Sequence, residues 1–301
     1  MPTVFGVNPT ILAYAWGDRP CLHRRPSMTS IALDRVLADL GQPIPDRPEY
    51  RCTEPLDLFT RPDGEELSTQ VAPGRQLWFR QLSADLAAGL DTGAGANSGA
   101  NLEANSGANG DFNQGAIEVV LCEDDYAAWL PLAALAHLAP AIGPYRAPIV
   151  SRSAIVDRIP QAIAFAQAAM AVPHCYLWGG TIAPDYDCSG LIQAAFMSVG
   201  VWLPRNSYQQ QEFTEPVELE NLQPGDLLFF GMPAKTNHVA LYLGKTIGQH
   251  CYLHSSGYEQ GRGRIAVDFL SDQGDRVAQA YFSQYKGAGR IHSSYQPSLK
   301  G

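Results

Sequence analysis

From Asp187 to Gly200 the chain carries a pattern that few folds can accommodate. Leu191, Ile192, Ala195, Phe196 and Val199 recur at three and four residues, one face of a buried helix, and Gly200 supplies the left-handed position that ends it. Cys188 falls in the first turn. There, unpaired backbone N–H groups and the helix dipole favour a negative sulfur, and a thiol is a useful nucleophile only as a thiolate. The N–H groups of Cys188 and Ser189 are also suited to a developing oxyanion, and Gly190 allows close backbone approach. A free cysteine is commonly just a small buried hydrophobe. The flanking Asp187, Ser189 and Gly190, together with histidines downstream, favour a nucleophile.

Those histidines are expected on strands. Pro224-Gly225-Asp226 is a turn signal followed by the apolar run Leu227–Phe230. His238 then opens an alternating stretch in which Val239, Leu241 and Leu243 share one face, and a third strand is expected through Tyr252 to Ser256. Three strands joined by short loops predict an antiparallel sheet with the Cys188 helix on one face, which lets His238 pair with the thiol and a further polar group orient it. His238, His250, His254 and Cys251 lack paired zinc-ligand spacing, so no metal and no cofactor is expected.

Six blocks in order carry a resemblance: Tyr-Leu-Trp-Gly-Gly from Tyr176, Asp-Cys-Ser-Gly-Leu-Ile-Gln from Asp187, Pro-Arg-Asn-Ser from Pro204, Pro-Gly-Asp-Leu from Pro224, Asn-His-Val-Ala-Leu-Tyr-Leu-Gly from Asn237, and Leu-His-Ser-Ser-Gly from Leu253. Across about 149–291 the chain resembles the NlpC family of papain-like cysteine peptidases that cleave bacterial cell-wall peptides. The resemblance implies Cys188 as nucleophile, His238 as general base and His254 as the residue that orients it. Counting residues from His238 favours His250 instead. The two differ by an even number and would face the same way, and the strand-like context of His254 against the loop-like context of His250 favours His254.

Upstream, residues 50–145 hold short apolar runs such as Leu77-Trp78-Phe79 and Ile117–Leu121 between Pro, Gly and Asp turns, a pattern that suggests a small β-barrel. The segment from Ala116 to Leu130 resembles a bacterial Src-homology-3-like domain. The fold expected is therefore α+β: an N-terminal extension (1–49) with a helix at 30–40, a Src-homology-3-like β-barrel (50–145) with a flexible Gly/Ala/Asn insertion at 90–115, and a papain-like domain (146–301) entered by a helix at 151–171 with Pro160 in its first turn or at a kink. Relatives with this pairing act as γ-D-glutamyl-L-diamino acid endopeptidases on murein peptides with a free L-Ala end. By that resemblance Tyr126, Tyr176, Asp187, Ser189 and Ser207 contact substrate. Asp187 also reads as a helix N-cap. Asp57, Glu65, Glu66, Glu123, Asp124 and Asp125 all remain open as the acid that receives the substrate amine, and Arg205 reads as a surface or ion-paired residue outside the site.

A net charge of −9 speaks against nucleic-acid partners, and no apolar run reaches the length of a membrane span. Six scattered cysteines do not form a disulfide framework, and Val4 to Trp16 lacks a basic leader, so a cytoplasmic protein is expected. A thiol amidase, an acyltransferase and a non-catalytic wall-binding module are the alternative functions.

Overall fold

The computed structural model describes residues 31–91, 115–259 and 261–298. The N-terminal half is built on a seven-stranded antiparallel sheet: β1 (Tyr50–Cys52), β2 (Leu56–Phe59), β3 (Leu67–Val71), β4 (Gln76–Leu82), β5 (Ala116–Leu121), β6 (Ala127–Pro131) and β7 (Leu138–Pro140), in the order β3-β2-β6-β5-β4-β1-β7. Where the sequence suggests a small barrel, the sheet ends at β3 and β7 among the described residues. Alternating side chains such as Leu56, Leu58, Leu77, Phe79, Val119 and Leu121 fill its core.

Among the described residues two α-helices belong to this half. The first, α1 (Leu33–Leu40), begins after the expected Ser30 and buries Val36 fully. The second, α2 (Ala84–Asp91), lies in a region expected to be all β and includes Leu90 and Asp91, the first residues of the supposed insertion. Its apolar face is weak: only Leu86 and Leu82 just before it pack on the core, so helical periodicity is hard to read there. The rest of the Gly/Ala/Asn tract, 92–114, and the first thirty residues lie outside the described residues.

The C-terminal half holds a six-stranded antiparallel sheet in the order β10-β15-β11-β12-β13-β14: β10 (Glu215–Val217), β11 (Leu227–Met232), β12 (Lys235–Thr246), β13 (Gln249–Ser256), β14 (Arg264–Phe269) and β15 (Tyr285–Arg290). A short ribbon of β8 (Thr181–Ile182) and β9 (Asp185–Tyr186) precedes it. Parity divides the sheet's side chains. Leu227, Phe229, Val239, Leu241 and Leu253 pack with α3 (Arg152–Ala171) and α4 (Cys188–Met197), while Leu228, Phe230, Ala240 and Tyr252 pack with α6 (Arg276–Ser283) on the other face. Helix α5 (Ser207–Phe213) contacts β12, β11 and α4. Pro160 sits in the interior of α3, not in its first turn. It is exposed, as is Val156 one turn earlier, so the carbonyl that loses its usual donor lies on the solvent side.

Candidate active site

The nucleophile candidate is placed by a cap. Asp187 sits at the N-cap of α4 in extended conformation, its Oδ1 accepting from the Gly190 N–H at 2.7 Å and its Oδ2 from the Gly179 N–H at 3.0 Å. Cys188 is thus the first helical residue. Gly190 is required by packing: a Cβ there would fall 2.1 Å from the Gly180 carbonyl oxygen.

The sheet meets this helix end where its ladder opens. Pairing of β12 with β13 runs from Thr246 opposite Gln249 to Leu241 opposite Leu253 and stops short of Val239. The backbone N–H groups of Val239 and Ser189 act to lower the Cys188 thiol's pKa, which sets the sulfur near Val239, the residue after His238 on β12. His238 Nε2 lies 2.8 Å from His254 Nδ1, and His254 Nε2 lies 2.9 Å from Asp268 Oδ2 on β14. His254 is fully buried. His250, which lies on β13 and not in a loop, bonds the Tyr242 hydroxyl through Nδ1 at 3.0 Å, away from His238. The imidazole that touches His238 is therefore His254.

Electrostatics depart from the thiolate that the helix end alone would favour. Burial pushes the Cys188 thiol up to about 12 and the nearby Asp187 charge adds to the rise, outweighing the Val239 and Ser189 N–H groups and Arg205. Burial, then the neighbouring His254, holds His238 well below the ordinary imidazole range. The resting pair is a neutral thiol and a neutral imidazole.

Beneath the thiol lies a buried ion pair. Arg205, 2% exposed and not a surface residue, donates from Nε to Thr69 Oγ1 at 2.8 Å and from Nη1 to Ser189 Oγ at 3.0 Å, and pairs with Asp187 through Nη2. Asp187 and Ser189 are thus brought together by a residue that the sequence reading set aside. The missed signal is its position in the Pro-Arg-Asn-Ser block. Tyr176 lies near Cys188 and close enough to Asp187 to sense its charge. The Tyr126 hydroxyl sits 2.9 Å from Ser68 Oγ, near Arg205. Ser207, buried, opens α5 two residues beyond Arg205. Of the open acids, Glu123 and Asp124 bind Arg75, Asp124 also accepts from Gln193 on α4, and Asp125 accepts from the Tyr295 hydroxyl. Among the described residues no group of three His, Cys, Asp or Glu side chains could hold a metal ion, and no helix is long and apolar enough to cross a membrane.

Residues 174–283 match the NlpC/P60 family. Over that segment, little more than a third of the chain, it is similar to an NlpC/P60 peptidase domain. Curated relatives include a gamma-D-glutamyl-L-lysine dipeptidyl-peptidase of Bacillus cereus, 39% identical over 118 residues that make up 38% of this chain and 32% of the relative. Another is the murein DD-endopeptidase MepS/murein LD-carboxypeptidase of Escherichia coli, 38% identical over 82 residues, 27% of this chain and 42% of the relative. The chain spans less than half the length of these relatives. A crystal structure of an NlpC/P60 family protein from Bacillus cereus aligns with 81% of this chain and 63% of its own at 21% identity and a TM-score of 0.38.

Proposed function

We propose that the chain is a cysteine endopeptidase that hydrolyses the γ-D-glutamyl-L-diamino acid bond of murein stem peptides with a free N-terminal L-Ala. The observation that carries the chemistry is the Cys188 thiol in the first turn of a capped helix, together with the buried His238–His254 contact at 2.8 Å on adjacent strands. The bond choice draws support from similarity to the Bacillus cereus gamma-D-glutamyl-L-lysine dipeptidyl-peptidase.

In the first half-reaction His238 takes the proton of the Cys188 thiol as the sulfur attacks the γ-glutamyl carbonyl carbon. First-turn N–H groups of α4 face the oxygen that gains charge. The C–N bond then breaks, the imidazolium gives its proton to the leaving amine, and a thioester remains. Water next gives a proton to His238 and attacks the thioester, the C–S bond breaks, and the departing sulfur recovers the proton. Tyr126, Tyr176, Asp187, Ser189 and Ser207 are the substrate-binding residues in this reading. Asp187 and Ser189 act jointly with Arg205, whose charge is balanced inside the protein, which avoids an unpaired buried ion. The reading places the enzyme in the cytoplasm, recycling wall fragments.

The test is mass analysis of L-Ala-γ-D-Glu-diaminopimelate and its N-acetyl form after incubation with the protein. The proposal expects cleavage of the free-amine peptide and little or none of the acetylated one. Equal cleavage of both would contradict the amine requirement, and acyl transfer to an added amine in place of hydrolysis would favour an acyltransferase.

A further inference from the structure

The chain of contacts behind His238 does not end at His254. Asp268, 3% exposed, receives the His254 Nε2 at 2.9 Å on Oδ2, and Arg262 donates to the same carboxylate from Nε at 3.1 Å and from Nη2 to Oδ1. Arg262 is itself tied from Nη1 to Asp275 Oδ2 at 2.7 Å, and Asp275 caps α6 by accepting from the Val277 and Ala278 N–H groups. From α6, Tyr281 lays its ring against both imidazoles, with centroids 4.6 Å from His238 and 4.9 Å from His254. Gly263, next to Arg262, accepts from the Tyr176 N–H at 2.9 Å, which joins this loop to the far wall of the site.

We propose that Asp268, clamped by Arg262, is a positioning residue that fixes the proton on Nε2 of both imidazoles and so leaves Nδ1 of His238 as the base. The inference rests on the reading of Cys188 and His238 as nucleophile and base. A carboxylate that receives two guanidinium N–H groups is ionised and only accepts hydrogen bonds, so His254 must carry its proton on Nε2. A neutral imidazole has one N–H. His254 Nδ1 is therefore an acceptor, and the 2.8 Å contact requires His238 to donate from Nε2. The lone pair of His238 is then on Nδ1, the nitrogen not engaged by His254. Without an acceptor at position 268, the His254 proton is free to move to Nδ1 and donate to His238 Nε2. The His238 proton would then sit on Nδ1, and the base would be lost. The other titratable side chains that sense Asp268 are Tyr252, Tyr281 and Cys251, each raised by burial and so neutral near pH 7, which leaves Arg262 as the cation facing it.

Two measurements test this. Long-range proton–nitrogen NMR on the histidine-labelled wild-type protein should show the Nε2–H tautomer at both His238 and His254, and an Nδ1–H signal at His254 would overturn the proposal without any variant. Asp268→Leu, which removes the acceptor at similar volume, should lower kcat by about 10–100-fold with KM nearly unchanged, the scale seen when a residue acts through another. It should also shift the His254 proton to Nδ1. If Cys188→Ala and His238→Ala are inactive while Asp268→Leu keeps wild-type kcat, the positioning role falls and the peptidase reading stands. If Cys188→Ala turns over like wild type, that reading falls and this inference with it.

Discussion

If Cys188 and His238 are nucleophile and base as proposed, a thiol and an imidazole that are both buried and neutral at rest make His238 a general base that acts during attack and not before it. The pH dependence follows with a definite sign. A protonated His238 cannot accept the thiol proton, so activity is lost as pH falls through its pKa. Burial lowers that pKa well below 6.5, so the acid limb of kcat/KM should lie below pH 6.5. A midpoint at pH 7 or above would contradict the burial argument. The thiol gives a complementary prediction. Because burial pushes it up to about 12, iodoacetamide labelling of Cys188 should keep rising between pH 6 and 9, and a plateau complete by pH 6 would mean a preformed thiolate. The position of Cys188 at a helix start was legible from its neighbours in sequence. Its charge state was not, because the burial that raises the thiol arises only once the fold is assembled around it.

Helix α4 shows how an element is set by its close contacts. Its span was readable from apolar spacing, and its first turn is held by Asp187 and by the approach of Gly190 to the Gly180 carbonyl. A methyl group at 190 has no room, so Gly190→Ala should destabilise the protein by about 1–3 kcal/mol in urea unfolding, the usual cost of overpacking. An unchanged midpoint would show that the Gly180 strand end can move aside. The strands through His238 and His254 were likewise legible from turn signals and alternation. Helix α2 was not, since its apolar stripe is poor and it lies beside a tract of small polar residues. Asp268 escaped notice for a different reason: β14 follows a loop with no family block, and one acid on a strand carries no sequence signal until the fold sets it behind His254.

At the scale of the whole molecule, the two sheets have separate cores yet share polar contacts beside the site. Arg205 of the catalytic half holds Thr69 on β3, Thr181 Oγ1 donates to the Gln70 carbonyl at 2.7 Å, and Gln193 on α4 donates to Asp124 at 2.8 Å. Breaking one side of a buried ion pair leaves an uncompensated charge, so Arg205→Met should cost about 3–5 kcal/mol and weaken both halves together. Calorimetry should show a lower midpoint for the whole transition, and an unaltered N-terminal transition would mean that the halves are energetically independent. The central claim, that Cys188 is the nucleophile of a murein peptidase, is tested most directly by incubating wild-type protein and Cys188→Ala with L-Ala-γ-D-Glu-diaminopimelate and weighing the products. The account predicts L-Ala-γ-D-Glu and free diaminopimelate from the wild type and intact peptide from the variant, whereas cleavage by the variant at the wild-type rate would contradict it.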